Sequence, residues 1–227
     1  MKTKFVLSLL LSVCVVFCFS GNVFAYPSVG DYIQFAYDGG NANGGGAFQI
    51  SPSSEYPSVS FTPFSSFCLE RDEYIDIGDA SELEHDYFIW NISKEAIAGG
   101  VNTDEGDPLD PKTAYLYNNY LTGAYSGYAD QNQMKNELQW AIWYIEEEVT
   151  FFKYTGAKDF YTEAKNAVLS GAWSGLGNIR VLNIGRHSIE DLYRQDMLVA
   201  VPEPTTILLS GLGLLGMGAL LRRKYNK

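Results

Sequence analysis

The 227-residue sequence has few of the residue types on which most enzyme sites depend. It contains two histidines and three cysteines. His85 and His187 stand alone, and neither a His-Glu-x-x-His nor a Cys-x-x-Cys pattern occurs, so the sequence does not support a zinc site. No glycine-rich phosphate loop follows a predicted strand, and no Ser-His-Asp arrangement can be read from the spacing. We therefore expect neither a metal nor another cofactor.

Positive charge is also scarce between the two ends of the chain. Of 16 Lys and Arg and 27 Asp and Glu, six basic residues and one acidic residue lie outside residues 26–200, which leaves 10 against 26 and a net charge of −16. This charge disfavours nucleic acid as a partner. It favours cations, amines and basic or neutral surfaces.

Two acidic runs stand out within this region. The loop at residues 102–110 is acidic enough to suggest calcium, but its spacing departs from that of an EF-hand, and we interpret it as a solvated loop. The run Glu146-Glu147-Glu148 is interpreted in the same way, as a solvated helix end.

Residues 1–25 have the pattern of a signal peptide. Two lysines precede an apolar run at residues 5–19, and Val23-Phe24-Ala25 forms a cleavage site of the small-residue kind. The apolar run is shorter than the roughly 20 residues that a membrane-spanning helix needs. We expect cleavage after Ala25, so that the mature chain begins at Tyr26.

Residues 201–227 combine three features in a fixed order. Pro202-Glu203-Pro204 is followed by an apolar, glycine-rich stretch at 207–221 and then by Arg222-Arg223-Lys224. At about 1.5 Å per residue the stretch beginning at Thr205 reaches roughly 25 Å, a little short of a hydrocarbon core of about 30 Å. Local thinning of the bilayer would allow it to span. We predict a transmembrane helix whose basic end stays in the cytoplasm, with the rest of the chain outside.

These features resemble the PEP-CTERM sorting signal of bacterial surface proteins. The resemblance implies that an exosortase recognises the chain, with Arg222 and Arg223 as part of the signal, and cuts near Pro202, Glu203 and Pro204. It also implies a final place at the cell surface or in the extracellular matrix, since the family commonly accompanies exopolysaccharide and biofilm production. A plain C-terminal tail anchor is the alternative.

A single cysteine remains after export. Cys14 and Cys18 leave with the leader, and neither follows the small residues of a lipoprotein site, whereas Cys68 stays. A lone thiol in an oxidising compartment has no internal disulfide partner. Cys68 is therefore buried and inert, paired with another molecule, or committed to a different reaction.

The patterns within residues 26–200 predict one α+β domain. Alternating residues indicate strands, and helical spacing after a first-turn proline and after Asp130 indicates helices between them. The predicted strands cover 30–37, 47–50, 65–70, 73–77, 87–92, 179–184 and 195–201, and the predicted helices cover 112–121, 130–149 and 158–169. The expected fold is an antiparallel, barrel-like sheet with a helical insertion, followed by the C-terminal transmembrane helix.

Two short segments carry the candidate chemistry. The first is Phe67-Cys68-Leu69-Glu70, in which an aromatic residue precedes the lone cysteine and an acid follows it. The second, on the middle predicted helix, is Gln139-Trp140-Ala141-Ile142-Trp143. A glutamine beside the apolar face of a helix and flanked by two tryptophans is poorly suited to open solvent.

In this order the two segments resemble the Cys–Gln thioester domains of bacterial surface adhesins, although Glu70 stands where Asp is common. The resemblance implies that the Cys68 Sγ attacks the Gln139 side-chain amide, expels ammonia and leaves an internal thioester. An amine of a surface protein, a polyamine or the matrix would then be acylated by Gln139, once per molecule and without turnover. The pocket residues implied are Phe67, Glu70, Trp140 and Trp143.

Two other functions fit the same sequence. In the first, Cys68 is a small buried hydrophobe, Gln139 is bonded to backbone, and the protein binds exopolysaccharide noncovalently through exposed Tyr and Trp. In the second, paired acids such as Asp72 and Glu73 serve a secreted hydrolase.

Overall fold

The computed structural model describes residues 26–40, 46–54, 56, 61–73, 75, 77, 87–97, 106–185 and 195–201. The predicted signal peptide, the sorting segment from residue 202 onward and the predicted transmembrane helix at 207–221 lie outside these ranges. Within them, no helix is long and apolar enough to cross a membrane.

The described residues form strands, then a block of helices, then strands again. The helices are α1 (Pro111–Leu121), α2 (Gln131–Ile145) and α3 (Thr155–Leu169). The strands are β1 (Tyr32–Gly40), β2 (Gly46–Pro52), β3 (Phe64–Ser66), β4 (Tyr87–Ser93), β5 (Glu95–Ala96), β6 (Asp107–Pro108), β7 (Ile179–Gly185) and β8 (Met197–Ala200). The predicted α+β class with a helical insertion is confirmed.

Six of the strands form one antiparallel sheet in the order β3-β2-β1-β4-β7-β8. Period-two alternation places Ile33 and Phe35 of β1 on the buried side, where Phe35 lies opposite Ile50 of β2. Strand β7 is buried at almost every position because it lies between β4 and β8 and also contacts α1. The apolar core therefore lies between the sheet and the helical block.

The two ends of this sheet are joined by a short seam, formed by residues 67–69 after β3 and residues 196–198 around the start of β8. The Leu198 N–H donates to the Phe67 carbonyl at 3.1 Å, and the Leu69 N–H donates to the Asp196 carbonyl at 3.0 Å. Cys68 lies between them, opposite Met197. The seam closes the sheet into a barrel-like form and covers backbone groups that an open edge would expose.

Two of the three helices begin at a capping aspartate, whereas α3 has no side-chain cap. The Asp110 carboxylate accepts from the Lys112 N–H at 2.7 Å to cap α1, and the Asp130 carboxylate accepts from the Gln133 N–H at 2.9 Å to cap α2. The Gln133 side chain, three residues after Asp130, donates to Glu137 and does not return to the Asp130 backbone to form a capping box. Helix α2 packs against β1, β2 and α3, which fixes the direction in which its buried side chains point.

One predicted strand is not found. Of the interval 73–77, the described positions 73, 75 and 77 belong to no strand.

Candidate functional site

The backbone N–H and C=O of Cys68 point away from β8, toward a side on which no strand of the described residues lies to bind them. Its neighbours, Phe67 and Leu69, direct a carbonyl and an N–H toward β8. In an antiparallel pair the groups of the residue between them point the opposite way. Pairing between β3 and β2 ends at Ser66, so the N–H and C=O of Cys68 face the helical block.

Gln139 of α2 satisfies both of these backbone groups. The Cys68 N–H donates to the Gln139 Oε1 at 3.0 Å, and the Gln139 Nε2 donates to the Cys68 carbonyl at 2.8 Å. The side-chain amide thus takes the place of a strand neighbour. Gln139 is 0% exposed and Cys68 is 2% exposed.

This pairing also fixes the amide relative to the Cys68 backbone. Both hydrogen bonds end on one residue, so the amide carbon of Gln139 faces the α-carbon of Cys68. Because Sγ is only two bonds from that α-carbon, rotation about one side-chain torsion governs its approach to the amide carbon. The N–H that binds Oε1 is also placed to stabilise negative charge developing on that oxygen.

Burial keeps the Cys68 thiol protonated. Desolvation raises its pKa well above the ordinary value, and the nearby charge of Glu70 raises it further. Reaction at this sulfur therefore depends on a partner that removes its proton or on a very favourable approach geometry.

Glu70 is held against the start of β8. Its Oε2 accepts from the Asp196 N–H at 2.6 Å, and its main-chain carbonyl accepts from the Gln195 side chain. Burial is the main reason that the pKa of Glu70 is raised, and the negative charges of Asp196 and Glu73 add to the effect.

Asp196 completes this buried acidic pair. It accepts from the Ile97 N–H at 2.8 Å, the Asn183 Nδ2 at 2.7 Å and the Ile184 N–H at 3.3 Å. Burial raises its pKa, while these three donors oppose the shift. No local sequence pattern predicts this pair, because Glu70 and Asp196 are brought together only by the seam.

Two buried polar atoms of the site lack a hydrogen-bond partner among the described residues. They are the Glu70 Oε1 and the indole Nε1 of Trp143. An orphaned buried polar atom is unusual and calls for an explanation.

The aromatic residues predicted around the site divide into two groups. Trp140 and Trp143 form an edge-to-face pair with ring centroids 5.6 Å apart, and both are buried. Phe67 packs edge-on against Tyr117 and Tyr120 of α1. Trp140 also lies near Phe151 and Tyr154, just before α3, whereas Phe67 lies against α1.

Two cations that the sequence did not single out lie over Trp140. The Arg71 guanidinium is 5.8 Å and the Lys153 ammonium 5.3 Å from the centre of a Trp140 ring. Lys153 also lies over Tyr154, at 5.4 Å. Arg71 could have been noticed from its place three residues after Cys68, whereas Lys153 is brought in only by the loop after α2.

Comparison with known proteins places a sorting signal at the end of the chain. Residues 200–224 match the PEP-CTERM protein-sorting motif. The predicted Pro202-Glu203-Pro204 and Arg222-Arg223 lie inside the match. This motif implies an exported protein that is anchored in the membrane before an exosortase processes it. No curated protein matches the chain, and no solved structure does.

The two acidic runs have different outcomes. Part of the 102–110 loop lies outside the described residues; Asp107 belongs to β6 and Asp110 caps α1. No group of three or more metal-ligating side chains occurs within the described part of the chain. The solvated interpretation of the second run is wrong for Glu146, which is buried and accepts from the Asp110 N–H at 3.3 Å. The start of α1 attracts this carboxylate because a helix N-terminus is electropositive.

A groove of about 380 Å³ lies near residues 26 and 200, the limits of the predicted mature domain. Its lining combines aromatic and uncharged polar side chains, including Tyr26, Phe64, Asn118, Thr122 and Asn178. It contains no charged residue, in contrast to the strongly acidic composition of the domain.

Proposed function

We propose that this exported protein forms an internal thioester between Cys68 and Gln139 and uses it to attach covalently to amines on a target surface. The observation that carries the proposal is that the buried Gln139 amide forms both of its hydrogen bonds with Cys68 itself, the one cysteine of the predicted mature chain. A buried cysteine and a backbone-bonded glutamine are also expected of the noncovalent alternative, so chemistry at these two residues separates the two functions. The sorting motif implies an exported protein, and a covalent tether would be useful outside the cytoplasm.

The hydrogen bonds favour the first chemical step in two ways. The bond from the Cys68 N–H polarises the Gln139 carbonyl and stabilises the oxyanion that forms when Sγ attacks. The bond from Nε2 to the Cys68 carbonyl prevents the amide from rotating away. Amides resist thiols in water, but well-oriented groups reach effective molarities of ~10⁵–10⁸ M, which compensates for a poor leaving group.

In the second step an amine attacks the thioester carbonyl, forms an amide bond to Gln139 and frees the Cys68 thiol. Each molecule reacts once, so the protein is a chemical anchor without turnover. Noncovalent affinities saturate near −18 to −21 kcal/mol, a ceiling that a covalent link does not share. We expect the acceptor to be an amine of a surface protein, a polyamine or the extracellular matrix, since the acidic domain favours cationic partners.

Intact mass spectrometry of the exported protein tests the proposal. A thioester lowers the mass by one ammonia relative to the sequence, and methylamine adds to Gln139 while releasing one titratable thiol. Cys68→Ala and Gln139→Ala should both abolish the ammonia loss and the methylamine adduct. Asn166→Ala, which removes an exposed amide of α3, is the matched control and should retain both. An unshifted wild-type mass with a thiol that reacts after unfolding would refute the thioester.

A second candidate is a noncovalent matrix protein, and the neutral groove favours it. Aromatic rings can stack on sugar faces, and the amides and hydroxyls beside them can bind sugar hydroxyls. The binding surface would then consist of tyrosines such as Tyr26 in place of the expected exposed Tyr and Trp, because none of the four tryptophans is exposed. In that case Tyr26→Ala should reduce polysaccharide binding, whereas Cys68→Ala should leave it unchanged.

A further inference from the structure

The folded domain ends immediately before the sorting signal. Strand β8 pairs with β7 up to Ala200, which lies opposite Ile179. The N–H of the next residue, Val201, donates to the Asn178 carbonyl at 2.8 Å. The matched motif begins at residue 200, and Pro202 follows Val201 directly. The segment that an exosortase must bind therefore adjoins the end of the domain.

This connection keeps the domain close to the membrane while the precursor is anchored. The apolar stretch that is predicted to enter the bilayer begins at residue 207, six residues after Val201. A fully extended chain advances at most about 3.6 Å per residue, so these residues span roughly 22 Å or less. A membrane enzyme that acts within this distance meets the surface of the domain around the end of β8.

The groove of about 380 Å³ lies at this end of the domain. Ala200 and Asn178 both line it, so the last strand and the residue that binds Val201 form part of its wall. Tyr26, the predicted first residue of the mature chain, and Leu121, the last residue of α1, also line it, and each is 40% exposed. The groove thus presents aromatic and apolar surface beside the start of the sorting signal.

The groove also differs in charge from the rest of the domain. Residues 26–200 carry a net charge of −16, whereas no charged residue lines the groove. Covering carboxylates with a partner costs desolvation energy. Depletion of charge and enrichment of aromatic residues are typical of the centre of a protein interface. On this acidic domain, the groove is therefore the face on which contact with another protein costs least.

We propose that the groove is a docking surface for the exosortase, so that the enzyme binds the folded domain together with the Pro202-Glu203-Pro204 segment. This inference goes beyond the proposed function. It rests on the sorting motif and on where the domain ends, and it does not require the thioester. The enzyme leaves after processing, and the groove is then exposed on the processed protein.

A photoreactive side chain tests the contact directly. In the full-length precursor, p-benzoylphenylalanine replaces Thr122, which lines the groove, and the cells produce an epitope-tagged exosortase. Illumination should join the precursor to the tagged enzyme. The same substitution at Asn166, an exposed position of α3, is the control and should not join them. Crosslinking to lipid alone, or equal crosslinking to the enzyme from both positions, would overturn the proposal.

The rate of processing tests whether the contact matters. Leu121→Glu places a negative charge in the groove, and a pulse-chase experiment should show the precursor converted to the shorter form on the order of tenfold more slowly. Leu169→Glu makes the same change at the exposed last residue of α3 and should leave the rate unchanged. Processing of Leu121→Glu at the wild-type rate would contradict a docking role for the groove.

A linker separates the loss of docking from damage to the fold. A flexible Gly-Ser linker of about 12 residues, inserted between Val201 and Pro202, changes no side chain of the domain. It lowers the effective concentration of the groove at the enzyme, so processing should be slower, and Leu121→Glu should have less effect than in the chain without the linker. Faster processing of the linker chain would show that the domain obstructs the enzyme and would overturn the proposal. If Leu121→Glu does not fold, the linker chain and the crosslink decide.

Discussion

Cys68 lies directly opposite Met197 in an antiparallel pair at the point where the sheet closes on itself. The flanking hydrogen bonds to β8 fix the orientation of the Cys68 peptide groups. The N–H and C=O of Cys68 therefore face α2 for every rotamer of its side chain. Gln139 then meets a rigid partner and not a mobile loop. Closure of the sheet and formation of the site are therefore the same structural event.

The first prediction concerns the amide of Gln139. In a Cys68→Ala background, which removes any cross-link, Gln139→Glu should lower the free energy of unfolding by about 1–3 kcal/mol. The introduced group is either an ionised carboxylate, which cannot donate to the Cys68-position carbonyl, or a carboxyl group that must take up a proton because burial raises its pKa, and either form costs stability. Urea unfolding measures the loss. Asn166→Asp, an exposed amide-to-acid change, should alter the stability little, and equal losses in the two variants would contradict the pairing.

The second prediction concerns access to the thiol. In Gln139→Glu, where no amide is available for attack, Cys68 should react with a disulfide reagent on the order of 10²-fold more slowly in the folded state than in urea. Burial both blocks the reagent and raises the thiol pKa. Equal labelling rates in the two states would mean that the seam opens readily.

The third prediction is a pH dependence caused by Glu146. Burial raises the pKa of this carboxyl group from 4.5 to about 8. Because the folded chain holds the proton more tightly than the unfolded chain, stability should fall as pH rises through this window. The slope contributed by one such group is about 1.4 kcal/mol per pH unit.

Glu146→Gln tests this, since it preserves an acceptor for the Asp110 N–H but cannot titrate. The variant should lose less stability than the wild type between pH 5 and about 8 in urea unfolding. Glu147→Gln, at the exposed next position, is the control and should keep the wild-type slope. Parallel curves for the wild type and Glu146→Gln would show that Glu146 does not titrate in this range.

Much of the fold could be predicted because the relevant signals are local. Alternation marked β1, apolar and β-branched runs marked β4 and β7, and the capping residue Asp130 marked the start of α2. The Cys68 and Gln139 segments could be singled out because each contains an uncommon combination of residues within a few positions. Their hydrogen bonding, by contrast, depends on sheet closure, which no local pattern encodes.

The failures share one physical cause, a partner distant in sequence. Glu146 belongs to an acidic run that looks solvated, yet its carboxylate reaches the N-terminus of α1, 36 residues earlier. Glu70 and Asp196 are 126 residues apart and meet only through the seam. Composition predicts the average exposure of an acid, whereas the burial of these three carboxyl groups is determined by what the fold places beside them.

The last prediction separates stability from chemistry. Asp130→Ala removes the cap of α2, in which the Asp130 carboxylate accepts from the Gln133 N–H at 2.9 Å. We expect a loss of about 1 kcal/mol in the free energy of unfolding, and Asp130→Asn should recover most of it. Gln139 lies more than two turns further along α2 and is held by Cys68. Asp130→Ala should therefore still show the loss of one ammonia that is expected of the wild type. If Asp130→Ala destabilises the domain and also alters the chemistry, the Gln139 amide depends on the whole of α2 and not on its local contact with the seam.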